Sequence, residues 1–213
     1  MELAILLAIT ATVVGLAGRL PERSRVKREL GTAKIQRIDQ LRDGTKVAIR
    51  GEVALAQSGD ELVAPLTGRW CVYWLVTFDE VGVGGDYVEI GRAEQGTPFL
   101  LRGENAVARV VPDNPRVAVP GTAQMQPITA LRGQPFNAMT RLAKTACKRK
   151  PNYRTSWLRA TEYIVSAGMP VTVVGWCTYE PDPDAAADVS GYRSDSPTRP
   201  VISGSRSARL LIG

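Results

Sequence analysis

Apolar and polar positions follow three different patterns along this chain. The first is an unbroken run: Leu3 to Gly18, LAILLAITATVVGLAG, is sixteen residues without a charge. As a helix it would span about 24 Å, short of the roughly 30 Å hydrocarbon layer of a bilayer. Snorkelling by Arg19 and local thinning absorb a mismatch of that size. The second pattern alternates. KVAIRGEVALA, Lys46 to Ala56, is apolar at nearly every second position, with Gly51 as a bulge candidate. Trp70 to Phe78 is apolar on both faces of an extended strand, which suits a strand covered on both sides. Turn signals at Ser58-Gly59-Asp60, Pro65 to Gly68 and VGVGGD (Val81 to Asp86) separate it from its neighbours. Further strands are expected over 61–64, 87–92, 98–102, 106–111, 157–165 and 170–179, with two short ones within 200–212. The third pattern has helical spacing. Phe136, Met139, Leu142, Ala143 and Ala146 share one side, with Arg141, Lys144 and Lys148 on the other.

That helix is expected to be the one substantial helix of the folded body. Residues 112–135 and 179–197 read as irregular. No βαβ alternation and no glycine-rich phosphate loop occur. The expected fold is mainly β: an antiparallel barrel or sandwich with one amphipathic helix, preceded by a single N-terminal transmembrane helix. Residues 1–18 read as the anchor, 19–44 as a basic juxtamembrane segment and 45–213 as the β domain.

Charge sharpens the picture of the anchor. The chain carries a net +6, and most of the excess is local. Between Arg19 and Arg37 fall Arg19, Arg23, Arg25, Lys27, Arg28, Lys34 and Arg37, opposed only by Glu22 and Glu29. A cleaved signal peptide carries its positive charge ahead of the apolar run, whereas here Glu2 precedes it. An uncleaved anchor is therefore favoured over a signal peptide and over a buried core helix. Basic residues next to a span stay on the cytoplasmic side, so the N-terminus is expected outside and the domain in the cytoplasm. Arg19, Arg23, Arg25, Lys27 and Arg28 are the expected contacts to an anionic membrane surface.

Composition removes several chemistries. The chain has no histidine and only three cysteines, Cys71, Cys147 and Cys177, without CxxC spacing. His-based acid/base catalysis, Cys-His pairs and four-ligand zinc sites of the usual kinds are excluded. Cys71 and Cys177 lie in apolar runs and read as core. Cys147 precedes Lys148, Arg149 and Lys150; they would favour a thiolate, but the plain reading is an exposed thiol. Glu180, Asp182, Asp184 and Asp188 read as a solvated loop rather than a metal site. Glu162 is the one carboxylate well inside an apolar strand; pairing with Arg159 or Arg50 across the sheet is expected ahead of facing solvent on an edge. Arg141, Lys144, Lys148, Arg149 and Lys150 form a second basic stretch, read as a solvated face or as a surface for the membrane or a protein partner ahead of nucleic acid. No catalytic, cofactor or metal residue is assigned.

In order along the chain, VAIRGEV, LVAPLTGRWCVYW, PFLLRGENAVARVVP and RATEYIVSAGMPVTVVGW, with the tail YRSDSPTRPVISGSRSARLLIG, resemble the GIDE domain, also called BAM, "beside a membrane". The resemblance covers roughly residues 40–213. It implies a β-rich domain next to a membrane, as in mulan-type mitochondrial ubiquitin ligases and bacterial membrane proteins. Those ligases carry a RING module, whose two zinc ions need eight Cys or His ligands, and this composition cannot supply them. The expected function is a membrane-anchored, cytoplasm-facing protein-interaction module without catalysis of its own. The alternatives are a ligase-like enzyme lacking its RING and a hydrolase with an unrecognised site.

Overall fold

A computed structural model describes residues 22–81, 87–127, 138–147, 157–183, 197–205 and 208–213. The apolar run 3–18 and Arg19 lie outside them, as do Phe136, Lys148, Arg149, Lys150, Asp184 and Asp188. The fold is mainly β, built on a closed five-stranded barrel with additional strands and few helices. The ring consists of β1 (Lys46–Leu55), β6 (Phe99–Arg102), β7 (Val107–Val110), β12 (Thr198–Ser203) and β11 (Pro170–Pro181), which pairs back onto β1. This order is the Greek key of an OB-type barrel. All its pairs are antiparallel except β7 with β12. A second parallel pair joins β8 (Arg116–Val117) to β13 (Leu211–Ile212). The expectation of a purely antiparallel barrel is corrected here. Parallel neighbours need a long crossover, and the chain between β7 and β12 supplies one.

β1 closes the barrel by serving two neighbours. Lys46 to Glu52 pair with β11, and Glu52 to Leu55 pair with β6. The change of partner falls at Glu52, next to Gly51, where a Cβ would lie 2.4 Å from the carbonyl oxygen of Arg102. Only glycine permits that approach. The barrel interior is filled by Val47, Ile49, Val53, Phe99, Leu101, Val110, Val173 and Ile202, all at most 2% exposed. The 3-10 turn Ile38–Gln40 and Leu41 add two more buried side chains to this core.

Two excursions from the barrel build a second layer. The chain between β1 and β6 forms the short ribbon β2 (Leu62–Val63) and β3 (Trp70–Cys71), then β4 (Tyr73–Val81) and β5 (Tyr87–Gly96). The chain after β8 forms β9 (Gly121–Pro127), α2 (Ala138–Ala146) and β10 (Trp157–Val165). The excursions meet as a four-stranded sheet in the order β5-β4-β10-β9. Strand β9 lies within a region expected to be irregular; Gly121 to Tyr163 and Met125 to Arg159 fix its register. One face of the sheet turns Tyr73, Leu75 and Val165 into the barrel core. The other turns Trp74, Val76, Phe78, Leu158 and Ala160 against Met139 and Ala143 of α2. The two-faced burial expected of Trp70 to Phe78 therefore holds from Tyr73 onward, whereas Trp70 itself is 63% exposed.

A second helix corrects the expectation of a single one. α1 (Glu22–Thr32) occupies the segment read as a basic linker. Val26, 1% exposed, and Leu30 pack on Ala48, Ala118, Val174 and Leu211, which point outward from the barrel wall. Burial of such side chains contributes roughly 1.5–3 kcal/mol each, enough to hold a short, highly charged helix that would be marginal alone. Among the described residues no helix is long and apolar enough to cross a membrane.

Gly51→Ala is expected to lower stability by about 1–3 kcal/mol and Tm by several degrees, because the strand must move off Arg102. Thermal unfolding by circular dichroism measures this; an unchanged Tm would show that the barrel does not close at Gly51.

Candidate functional site

The described residues that concentrate charge lie where α1 begins. Glu22 and Arg23 sit over the barrel-side face of the four-stranded sheet, and together with Thr77, Asp79, Glu89, Arg92, Arg116, Arg159 and Tyr163 they line a cleft of about 230 Å³. Strand alternation explains the assembly: Thr77 and Asp79 on β4, Arg159 and Tyr163 on β10, and Glu89 and Arg92 on β5 share one face. Glu22 then makes two ion pairs, 3.4 Å to Arg92 Nη2 and 3.1 Å to Arg116 Nε. The second is an ion pair without hydrogen-bond alignment, since Arg116 Nε has no hydrogen-bond partner. An acidic residue in the first turn of a helix is also favoured by the helix dipole.

Arg23 donates from Nη2 to the Val119 carbonyl at 2.6 Å, and its guanidinium lies 5.0 Å from the centre of the Tyr163 ring. Arg159 donates twice to Asp79 Oδ2, at 3.0 and 2.6 Å, and stacks 3.7 Å from the centre of the Tyr87 ring. Four guanidinium groups face three carboxylates across this cleft. The arrangement clamps the start of α1 to the sheet and leaves one positive charge in excess, which suits an anion or an anionic surface better than acid/base chemistry.

The expected surface residues separate. Arg25, Lys27 and Arg28 are exposed on α1. Arg23 is not available in the same way: it is half-buried and engaged by Val119 and Tyr163. Arg141 and Lys144 are exposed on α2, away from that cleft on the opposite face of the sheet. The cleft arginines Arg92, Arg116 and Arg159 were not singled out as a cluster from sequence. They come from three separate strands, and only the register brings them together.

Glu162 is 2% exposed and pairs with neither Arg159 nor Arg50. It accepts hydrogen bonds from the Leu66 N–H (2.8 Å), the Thr67 N–H (3.1 Å) and the Thr67 hydroxyl (2.5 Å). It fastens the turn between β2 and β3 onto the sheet, and its charge is satisfied largely by main chain. The thiols are equally quiet. Burial, with a further push from Glu162, raises Cys71 to about 11, and burial raises Cys147 to about 11 as well. Burial, then Asp43, raises Cys177. Cys147 is half-buried against the second core and bridges to Gly91, and its basic neighbours Lys148, Arg149 and Lys150 lie outside the described residues. Glu180 belongs to an ion-pair network on the barrel, with Arg199 Nε at 2.8 Å and Arg109 Nη1 at 2.9 Å. Burial acts to raise its carboxyl, and the hydrogen bonds from Arg199 and Arg109 outweigh that, holding it below the usual range.

Glu162→Gln is expected to cost about 1.5–3 kcal/mol, since an amide cannot match a carboxylate against three donors; a Tm within a degree of wild type would remove the anchoring role. Glu180 is predicted to act in the opposite direction to a base. Its depressed carboxyl contributes stability that is full above the ordinary carboxylate value and is lost as pH falls through the lowered one. The Tm difference between wild type and Glu180→Gln should therefore shrink from neutral pH towards about pH 3; a difference that is constant with pH contradicts it.

No protein-family model, no curated protein and no solved structure matches this chain.

Proposed function

We propose that this chain is a membrane-tethered, cytoplasm-facing interaction module of the GIDE/BAM type, without catalysis of its own. The observation that carries this reading is the joint between the apolar run and the barrel. Only Arg19, Leu20 and Pro21 separate Gly18 from Glu22. From Glu22 onward the helix is part of the folded body, held by Val26 and Leu30 on the barrel and by Glu22 and Arg23 on the sheet. A span of residues 3–18 would thus continue almost directly into a rigid β body, which is what a module held beside a membrane requires.

The internal chemistry supports binding over turnover. The thiols are held in their protonated form by burial. Two of the buried carboxylates, Glu162 and Asp79, are committed to a turn and to Arg159. Exposed Arg25, Lys27 and Arg28 lie on the helix next to the tether, where an anionic inner surface would meet them. Arg141 and Lys144 offer a separate basic face to a protein partner.

Membrane fractionation with an alkaline wash tests this. The full chain is expected in the pellet. A chain lacking residues 1–20 should become soluble with its Tm preserved, whereas one lacking residues 1–37 should lose several degrees because Val26 and Leu30 go with it. A full chain found in the soluble fraction overturns the reading.

A further inference from the structure

The cleft under the start of α1 holds more hydrogen-bond donors than the protein engages. Arg116 Nε lies 3.1 Å from Glu22, yet it is buried without an aligned acceptor, and so is Arg23 Nε. Buried donors are rarely left in that state. Among the described residues, no hydrogen bond joins the terminal nitrogens of Arg116 to the protein, nor the hydroxyls of Thr77 and Tyr163, which line the same cleft. Arg92 and Arg159 each commit Nε and Nη2 to carboxylates, and Arg23 commits Nη2 to the Val119 carbonyl. Nη1 of each is uncommitted among the described residues.

These donors come from separate elements. Thr77 stands on β4 opposite Arg92 of β5, Tyr163 stands on β10 opposite Leu75, and Arg116 belongs to β8 on the barrel side. A cleft of about 230 Å³ lined from several directions by donors suits a small ligand with acceptors in several directions. A planar carboxylate is satisfied by one guanidinium fork, whereas a tetrahedral phosphate can take a fork and further donors at once. The charge narrows the choice. Four guanidiniums against Glu22, Asp79 and Glu89 leave one positive charge, which a singly charged phosphodiester cancels. A phosphomonoester, at about −1.5 to −2, would exceed it.

We propose that this cleft binds the phosphate of a small phosphodiester, with Arg116 supplying a guanidinium fork, Thr77 and Tyr163 donating their hydroxyls, and Arg23, Arg92 and Arg159 supplying the surrounding positive field. Two sources carry this group: a phospholipid headgroup and a soluble phosphodiester of headgroup size. The first rests on the tether proposed above, under which Glu22, a residue of the cleft, stands within about 14 Å of Gly18. The site itself does not depend on the tether.

Calorimetric titration of the full chain in an uncharged, phosphate-free detergent tests this with three probes: glycerophosphoglycerol, dihexanoyl phosphatidylglycerol and acetate. Saturable binding of both phosphodiesters is expected, with acetate clearly weaker. Arg116→Gln should weaken both phosphodiesters about tenfold or more, and Thr77→Val and Tyr163→Phe about threefold to tenfold each. Tyr163→Phe keeps the ring beside Arg23. Thermal unfolding confirms that each variant folds, and the two hydroxyl variants decide the matter if Arg116→Gln does not. Arg42→Gln removes the same charge from an exposed position outside the cleft and should leave both affinities unchanged. Tighter binding of the lipid than of its deacylated headgroup, lost in the cleft variants, identifies the bilayer as the source; equal or weaker binding of the lipid identifies a soluble phosphodiester. The site is overturned if neither phosphodiester binds saturably, if acetate binds as tightly, if the cleft variants bind like wild type, or if Arg42→Gln loses as much as they do. Membrane fractionation of the full chain is unaffected by any of these results, so the tether and the site fail separately.

Discussion

Nine consecutive residue pairs between β4 and β10, Tyr73 with Val165 through Val81 with Trp157, hold the non-barrel half of this protein together. The two strands come from different excursions, one leaving the barrel after β1 and the other after β7. Neither excursion could bury its apolar residues alone. A two-stranded hairpin of β4 and β5 would expose one whole apolar face, and β9 with β10 another. Once the seam forms, one face of the joint sheet caps the barrel core and the other seats α2. Everything outside the barrel depends on this long-range register, because a slip of one residue would exchange the two faces.

The same register creates the electrostatics. Alternation places Asp79, Glu89, Arg92 and Arg159 on the face that α1 crosses, so that Glu22 and Arg23 meet them as the helix settles on the barrel wall. The cleft ties three layers: helix, barrel and sheet. Glu162 does comparable work on the opposite face, drawing main-chain donors from a turn some 95 residues earlier in the chain. The buried carboxylates Asp79 and Glu162 thus serve to position neighbouring elements.

Under the proposed tether, the short link to the folded body would also limit motion. With only three residues between Gly18 and the clamped Glu22, a tethered body would have little freedom to tilt.

Strand content, the barrel class, the core positions of Cys71 and Cys177 and the apolar side of α2 were all legible along the chain, because each depends on local period: two for strands, 3.6 for the helix. Gly51, expected as a bulge, instead pairs with Val171 in regular register, and the close approach of Arg102 that requires a glycine there exists only in the fold. What failed did so for identifiable reasons. α1 displays a two-residue apolar stripe, Val26 and Leu30, among charges; without the outward-facing Ala48, Val174 and Leu211 to receive it, the segment reads as a linker. Glu162 was given arginine partners because sequence shows side chains, whereas its actual donors are mostly main-chain N–H groups whose direction exists only in the fold. The parallel pairs, the seam and the arginine cleft depend on which distant strands become neighbours. By itself the chain determined which residues shun water and at what spacing; the tertiary structure alone decided which surface covers each of them, since that choice is made by contacts between segments that no local period encodes.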